Sequence, residues 1–486
     1  MIEDYGTKKQ IHDKANTIID KTLREVISNE DIHTVEDRII QHNRNEKGYL
    51  GKIVEKYFFN INPGNLSKPD FLTAEVELKT TPIKRDIKKE YSAKERLVFS
   101  KINYYSIIGE TWESSSFLKK NKSLLLMFYL WIASQSILDY KFKFIYLLEL
   151  LEDISDEDIY QIRKDWEYIV SKINNGEAHL LSEGDTYYLG ACTKAKNSQE
   201  LVAQPKNSIK AKPRAFSLKQ QYVNYLIQTK LLKNPIDVSS VINKQKRVDT
   251  IENIVREKFV PFIGKTDEAI ISELNLSLPN KPKAYKRLIV NGILGVKTKK
   301  IEELEKANIT LKVVTLEDNG KLKESISFPP FNYKDLIEQV WDSNKKNKKS
   351  EFRHQLESNK FLIVVFQKQK NSNNIILRKT FFWNFPIQDI DKVKEVWEKT
   401  VELIKEGKII KAQVVQKSGK IINNTYFPGI SFNGVAHVRP HAQNKKDEID
   451  LPHKDLFTGK SRFTKHCFWL NAKYIENAIN EVKYKI

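Results

Sequence analysis

Four short segments in the first half of this 486-residue chain recur in the same order in its second half. The pairs are AEVELKTT at 74–81 with ANITLKVVT at 307–315, SSSFLKKNKSLLLMFY at 114–129 with FRHQLESNKFLIVVFQ at 352–367, ACTKAKNSQ at 191–199 with AHVRPHAQN at 436–444, and AFSLKQQYV at 215–223 with CFWLNAKYI at 467–475. One weak echo would be unremarkable, but four in one order indicate duplication of a whole unit. The sequence therefore predicts two copies of one fold.

The spacing of apolar residues indicates that the chain mixes helices with strands. Helices are predicted over about the first forty residues, from about residue 48 and over 153–175, and strands are predicted over 74–81, 97–102 and 124–131. This alternation favours a mixed α/β body over a helical bundle.

The boundary between the copies is predicted where the sequence becomes polar and has helical rather than strand periodicity. We expect a first unit at 1–235, a helical linker at 236–265 and a second unit at 266–486. A chain of this length is long enough for two or three domains, each with its own core.

The charge balance points to a polyanionic partner. The chain has 82 Lys and Arg against 62 Asp and Glu, a net charge of +20, which makes nucleic acid the first candidate. Two cysteines provide no disulfide framework, and the apolar stretch at 124–133 is too short to span a bilayer. With no signal peptide at the amino terminus, we expect a cytoplasmic protein that does not enter the membrane.

Charged residues alternate along the predicted strand at 74–81. Because successive strand side chains point to opposite faces, Glu75, Glu77 and Lys79 should share one face while Val76 and Leu78 enter a core. An exposed strand with alternating Glu and Lys can also be an ordinary solvated surface, so this pattern alone leaves both interpretations open.

Asp70 precedes that strand and completes an acid, acid, lysine set with Glu77 and Lys79. Two carboxylates within reach of each other can hold a hard divalent cation such as Mg²⁺, and a neighbouring ammonium can orient a water molecule for attack on phosphorus. The spacing is typical of a metal-dependent phosphodiester hydrolase.

The second copy differs where this chemistry would reside. It has Thr310 in the place of the strand glutamate and Glu303 in the place of the aspartate, while Lys312 keeps the lysine. Because a hydroxyl is a poor replacement for a carboxylate at a divalent ion, we expect one working centre and one copy retained for binding.

Several motifs together resemble the MutH family of GATC-specific endonucleases, with the best match to its two-domain type II restriction enzymes. The motifs are KGYLGKIVEKYF at 47–58, KPDFLTAEVELKTTPI at 68–83, LSEG at 181–184, TKAKN at 193–197, RAFSLK at 214–219 and HVRPH at 437–441. The resemblance implies two tandem restriction-endonuclease-like domains, each with a central mixed sheet flanked by helices. It also implies a nuclease in the first copy and an effector in the second.

The resemblance further implies particular roles. Asp70 and Glu77 correspond to ligands of the Mg²⁺ cofactor, Lys79 to the residue beside the attacking water, and Glu55 to an additional acidic residue that supports the metal site. The cut would fall before the guanine and leave a 5′ phosphate.

A further basic residue of the family falls just before the strand at 124–131. We assign it to Lys120, with Lys119 and Lys122 close enough for the alignment to slip.

Basic residues in the turn and strand motifs are predicted DNA contacts, with surface salt bridges as the alternative. They are Lys194, Arg214, Lys219, Arg439 and His441. The chain departs from single-domain members at Cys192, where they have arginine, and at Ser217, where they have tyrosine, so base recognition in the first copy should differ in detail.

Three other interpretations remain open at this stage. The chain could be a methyl-directed nicking enzyme of mismatch repair, although a whole second copy favours restriction. It could be a DNA-binding protein with vestigial acids. His437 and His441 could suggest zinc, but Pro440 lies between them. Binding of double-stranded DNA at two sites also allows self-association on DNA.

Overall fold

The structure is a computed structural model. It describes residues 5–42, 48–64, 68–85, 91–195, 199–234, 238–242, 248–278, 282, 284–298, 300–342, 348–415, 419, 421–444 and 446–482.

The first half contains nine described strands and seven described α-helices. The strands are β1 Val76–Lys84, β2 Ser92–Ala93, β3 Leu97–Lys101, β4 Ser123–Leu130, β5 Phe142–Glu149, β6 Leu189–Thr193, β7 Val202–Gln204, β8 Asn207–Ala211 and β9 Arg214–Leu218. The helices are α1 Lys8–Asn16, α2 Asn29–His42, α3 Tyr49–Ile53, α4 Ser116–Asn121, α5 Leu150–Asp153, α6 Asp156–Asn174 and α7 Gln220–Leu226.

The second half continues with a similar mixture. Its described helices are α8 Ile251–Phe259, α9 Asp267–Glu273, α10 Tyr285–Leu294, α11 Glu302–Lys306, α12 Tyr333–Ile337, α13 Glu351–Ser358, α14 Ile390–Lys405 and α15 Ala472–Glu481. Its described strands are β10 Ile309–Leu316, β11 Ile326–Ser327, β12 Gln339–Val340, β13 Lys348–Lys349, β14 Lys360–Lys368, β15 Ile375–Asn384, β16 Ile410–Val415, β17 Ile421–Thr425, β18 Ala436–Pro440, β19 Glu448–Asp450, β20 Arg462–Thr464 and β21 His466–Leu470.

The main sheet of the first half has the strand order β2-β1-β4-β5. Strand β4 reads SLLLMFYL, a continuous apolar run typical of a strand covered on both faces, and most of it is buried. It pairs parallel with β1, so that Glu77 lies opposite Leu124, and antiparallel with β5. The charged residues of β1 therefore lie beside the most deeply buried strand of this sheet.

The second half repeats three of these four strands, in the order β10-β14-β15. Strands β10 and β14 pair parallel, with Thr310 opposite Phe361, and β15 adds antiparallel to β14. Each half also has a three-stranded antiparallel sheet, in the orders β3-β9-β6 and β11-β21-β18. The two halves thus share sheet order and strand direction, and the predicted mixed α/β fold class is confirmed.

A backbone detail also recurs in both copies. The residue just before the first strand has a left-handed conformation in each, with φ of 55° at Glu75 and 56° at Asn308. The structure therefore corrects the expectation for Glu75: it is exposed and lies before β1, so it does not share the charged strand face. Val76 and Leu78 enter the core as expected.

The predicted helix near residue 48 is divided into two parts. Helix α3 ends at Ile53 and a π-helical turn covers Val54–Phe58. Leu50 is among the residues that face the core, and Gly51 faces Thr80 of β1. The π turn sets the position of Glu55 relative to β1.

Apolar residues from both halves form one continuous core cluster. It includes Leu124 and Phe216 from the first half and Ile289 and Leu362 from the second. Helix α8, within the predicted linker, contributes to the same cluster, so the described part of that segment is packed rather than extended. Residues 235–237 and 243–247 of the boundary region lie outside the described residues.

None of the helices in the described part of the chain is both long and apolar enough to cross a membrane.

A buried ion pair joins the two halves. Lys306 Nζ lies 2.9 Å from Asp158 Oδ2, with the two side chains 6% and 4% exposed. Tyr222 donates a second hydrogen bond to the same carboxylate oxygen, at 2.8 Å. Burial opposes the charge on Lys306, but Asp158 and Glu302 more than offset it and raise the pKa of the ammonium.

We expect Lys306→Met to lower the free energy of unfolding by about 3–5 kcal/mol, because it leaves the Asp158 carboxylate buried without its cation. Urea unfolding followed by circular dichroism measures this. The matched control is Lys399→Met, whose pair with Glu402 is exposed and should contribute less than about 1 kcal/mol. Equal losses in the two variants would contradict the structural role of the buried pair.

Candidate active site

The loop before β1 folds back on the strand and carries Asp70 to the side of Glu77. Phe71 and Val76 exchange backbone hydrogen bonds of 2.9 and 3.2 Å, which closes the turn. Asp70 Oδ2 then accepts the backbone N–H of Leu78 at 2.9 Å. Asp70 is therefore fastened to the strand one residue after Glu77.

Glu77 is a buried carboxylate that meets two ammonium groups. Its Oε1 lies 2.6 Å from Lys79 Nζ and 3.4 Å from Lys120 Nζ, and its side chain is 4% exposed. Its Oε2 is buried and has no hydrogen-bond partner among the described residues. That oxygen retains its lone pairs for a further ligand.

Helix α4 supplies Lys120. The Ser115 hydroxyl caps the helix by accepting the Leu118 N–H at 3.2 Å, and the helix ends directly before β4. Because β4 is the parallel neighbour of β1, the last turn of α4 lies beside Glu77. Lys119 and Lys122 are exposed, so the structure brings Lys120 to the site.

Glu55 belongs to the same electrostatic group. Burial raises the pKa of Glu55 to about 8, and repulsion from Asp70 and Glu77 adds to the rise. Burial and the charge of Glu77 likewise raise the pKa of Asp70 to about 6. Three carboxylates thus share one poorly solvated space, where a cation would favour their ionised forms.

The donor set at this point fits a magnesium ion held largely by water. The described residues contain no group of three or more His, Cys, Asp or Glu side chains placed to enclose a metal. Mg²⁺ is commonly bound through one or two carboxylates with several waters retained. Asp70 and the unpartnered Oε2 of Glu77 fit that requirement.

The corresponding position of the second copy lacks this chemistry. Lys312 Nζ donates to the Ser327 carbonyl at 3.1 Å, and Thr310 stands where the first copy has its glutamate. Glu303 is 1% exposed and accepts the Val241 N–H at 3.1 Å, so its carboxylate holds the chain near the predicted boundary. This supports the expectation of one working centre.

The structure argues against a DNA contact by Arg214. Its guanidinium is buried and donates to the carbonyls of Ala191, at 2.6 Å, and Leu181. Arginine can satisfy backbone carbonyls in a core because it has five donors. Arg214 therefore fastens β6 and the segment before it to β9.

Lys219 is also directed inward. Its ammonium donates to Thr186 at 2.5 Å and to Ala307, in the other half, at 3.3 Å. Burial lowers the pKa of Lys219 to about 7, and Lys360 adds to the effect by repulsion. Lys219 thus lies where the halves meet, which argues against its predicted contact with DNA of the first copy.

Lys194 lies at an exposed position after β6. Its backbone N–H donates to the Pro213 carbonyl at 2.7 Å, which holds the turn against β9. The placement leaves the predicted DNA contact open.

An aromatic platform supports the basic turn of the second copy. The guanidinium of Arg439 lies 3.8 Å from the ring centroid of Trp469, and the His441 ring meets the same indole edge-on at 5.4 Å. Both Arg439 and His441 are exposed. Stacking on an indole limits the rotamers of arginine and leaves its outer edge able to donate.

His437, by contrast, is buried. Its Nδ1 lies 2.5 Å from Asn471 Oδ1, and its ring stacks on the opposite strand against Trp469.

Sequence reasoning missed Trp469. In the sequence, the segment at 467–475 shows only a likeness to the segment at 215–223. Strand alternation would have placed Trp469 beside Arg439 once the antiparallel pairing of β18 with β21 was known.

The first copy thus presents Asp70, Glu77 and Lys79 together at one end of the parallel strand pair, with Glu55 and Lys120 beside them. This arrangement is typical of phosphodiester hydrolases of the metal-dependent class.

Comparison with known proteins agrees with that class. A family model described as DNA mismatch repair enzyme MutH matches residues 59–165. The chain is 33% identical to type II restriction enzyme Sau3AI of Staphylococcus aureus, over 99% of this chain and 100% of that protein. It is 25% identical to DNA mismatch repair protein MutH of Shigella flexneri, over 46% of this chain and 92% of that protein. The chain belongs to the MutH-related family of type II restriction enzymes.

We expect Glu55→Gln to change the pH dependence of stability in metal-free protein. The pKa of Glu55 is raised by folding, so its contribution to stability is present below pH 4 and is lost as the pH rises through about 8. The variant should therefore melt at a higher temperature than wild type at pH 9 and at a similar temperature at pH 4.

Thermal unfolding in chelator measures this difference, with the exposed Glu75→Gln as the control. A difference in melting temperature that does not depend on pH would contradict the electrostatic account of Glu55.

Proposed function

We propose that the protein is a restriction endonuclease that makes Mg²⁺-dependent double-strand cuts at GATC, with the first copy as the nuclease. The observation that carries the proposal is the cluster of Asp70, Glu77 and Lys79 in a chain that matches a type II restriction enzyme over its full length. The basic composition supports double-stranded DNA as the partner. Such a role would be exercised in the cytoplasm.

Asp70 and Glu77 would hold the metal ion, which supplies positive charge to the scissile phosphate when bound. Lys79, at 2.6 Å from Glu77, is held where its ammonium can orient a water molecule and lower the water's pKa. The water oxygen would bond to phosphorus as the water releases a proton to solvent, the bond to the 3′ oxygen would break, and the leaving oxygen would take a proton from solvent. The products are a 3′ hydroxyl and a 5′ phosphate, with the cut placed before the guanine.

Glu55 and Lys120 support this arrangement from outside the reacting groups. Lys120 shares Glu77 Oε1 with Lys79, so it helps to hold that carboxylate in place. Burial raises the pKa of Glu55 to about 8, so Glu55 would add negative charge once a bound cation favours its ionised form.

We expect Lys79→Ala to lower the cleavage rate of a GATC plasmid by roughly 10²–10⁴-fold while it preserves binding of a GATC duplex. Gel assays with Mg²⁺, with chelator as the blank, measure cleavage, and fluorescence anisotropy measures binding. Lys84→Ala, at the exposed end of the same strand, is the matched control and should cut normally. Normal turnover by Lys79→Ala would rule out the assigned role.

The second copy is proposed to bind another GATC site and to activate the first copy. Its basic turn is exposed, with Arg439 stacked on Trp469. The turn lies at the end of β18, which corresponds to β6 and the Lys194 turn of the first copy. An arginine with restricted rotamers is well suited to a guanine edge. Two binding sites in one chain would also let protein molecules associate through DNA.

We expect a plasmid with one GATC site to be cut more slowly than a plasmid with several, and an added GATC duplex to restore the rate. Activation by a second site is a coupling between two binding events, for which changes of about 5–150-fold are typical. A duplex with a scrambled site is the control. Equal rates on both plasmids would remove the effector role and leave the nuclease proposal intact.

The likeness to MutH favours one alternative, a nicking enzyme of mismatch repair. The same plasmid assay separates the two proposals, because a nicking enzyme would accumulate open circles and a restriction enzyme would produce linear DNA without accessory proteins.

A further inference from the structure

A cavity of about 670 Å³ lies between the two halves. The first half lines it with residues 94–96, 183 and 219–221, and the second half lines it with parts of β10, β14, α13 and the turn at His441. Thr310 and Lys312 are among its lining residues. The cavity therefore lies at the second copy's counterpart of the candidate active site, with the first half forming its opposite wall.

Among the ionisable side chains that line the cavity, basic ones outnumber acidic ones. Two of them are acidic, Glu95 and Glu183, and Glu183 forms an ion pair with Arg96. The six that are basic are Lys94, Arg96, Lys219, Lys312, His354 and His441. A concave surface with this balance attracts anions.

Burial, with a smaller effect of neighbouring cations, disfavours the charged form of two of these groups. Burial lowers the pKa of His354 to about 4, and Arg96 is the next largest cause. Burial and neighbouring cations, Arg96 among them, lower the pKa of Lys219 to about 7. A bound anion would offset this repulsion.

Residues 94–96 connect this cavity to the catalytic sheet. They lie between β2, which pairs with the end of β1 at Ile83, and β3, which pairs with β9. The Lys94 N–H donates to Pro82 of β1 at 3.0 Å. The Gln220 side chain, which also lines the cavity, donates to Ala93 at 2.8 Å. The segment is thus bonded both to the strand that carries Glu77 and to a wall of the cavity.

The ion pair of Arg96 with Glu183 lies at the contact between the halves. Ser182, next to Glu183, donates to the Glu357 carbonyl of the second half at 3.0 Å. A Cβ built on Gly184 would lie 3.1 Å from the Asn359 carbonyl oxygen, so this contact is close. A ligand that competes for Arg96 would therefore act on the segment joining both halves to β1.

We propose that this cavity holds a phosphate of the DNA bound by the second copy, that Arg96 and Lys312 contact it from opposite walls, and that residues 94–96 transmit its presence to β1. The inference rests on the proposed effector role of the second copy and specifies how that role reaches the catalytic strand. The first half would then form part of the effector site itself.

The test uses the full-length protein and the variants Arg96→Gln and Lys312→Gln. In a Lys79→Ala background, anisotropy and native mass spectrometry measure how many GATC duplexes bind and how tightly. In the active background, the ratio of cleavage with and without added GATC duplex measures stimulation. Arg163→Gln is the control, because Arg163 forms surface pairs with Glu113 and Glu167 away from the cavity.

We expect each cavity variant to weaken binding of the second duplex by about tenfold and to lower the stimulation ratio. The slope of log affinity for that duplex against log salt concentration should fall by about one. The control should match wild type in each measurement. Unchanged binding of the second duplex and unchanged stimulation in both cavity variants would overturn the inference and leave the effector role standing. A wild-type protein that binds one duplex and shows no stimulation would overturn the effector role itself.

Inorganic phosphate is added in the same cleavage assays as a second probe of the cavity. If the duplex stimulates cleavage and phosphate reduces that stimulation in wild type but not in Arg96→Gln, the anion in the cavity is a phosphate of the DNA backbone. Stimulation by phosphate alone would overturn that assignment in favour of a free anion. Melting curves of both variants confirm folding, and Lys312→Gln carries the test if Arg96→Gln is unstable.

Discussion

The site depends on a carboxylate that strand β1 carries into the interior. Glu77 lies opposite Leu124 of the most apolar strand in the sheet, where an isolated charge would be costly. The ammonium groups of Lys79 and Lys120 compensate one of its oxygens and leave the other without a partner. The pairing that holds one oxygen of Glu77 in place thus leaves the other available to a cation.

Local sequence was sufficient for the parts of this site that lie close together in the chain. The spacing of Asp70, Glu77 and Lys79 predicts a shared position because a strand repeats every two residues and a short turn brings Asp70 back. The duplication could likewise be predicted from the recurring sequence segments. The structure shows it in the parallel pairing of β1 with β4, which recurs as β10 with β14. The specific roles of Glu55 and Lys120 came from family resemblance rather than from the pattern itself.

Other features depend on contacts between distant segments, which spacing does not reveal. Arg214 and Lys219 are basic residues in a strand motif. Sequence alone could not show that their side chains donate to the backbone carbonyls of residues 181, 186, 191 and 307. The stacking of Arg439 on Trp469 needs the pairing of two strands separated by a long connection. The cavity between the halves could not be foreseen, because both halves contribute to it.

Both copies have a left-handed residue directly before the first strand of the parallel pair, but the residue type differs. Glutamate rarely adopts this conformation, whereas asparagine tolerates it well, so the first copy bears a local conformational cost at Glu75 that the second relieves at Asn308. The left-handed turn is present in both copies although the residue differs, so the turn belongs to the architecture that starts the parallel strand pair.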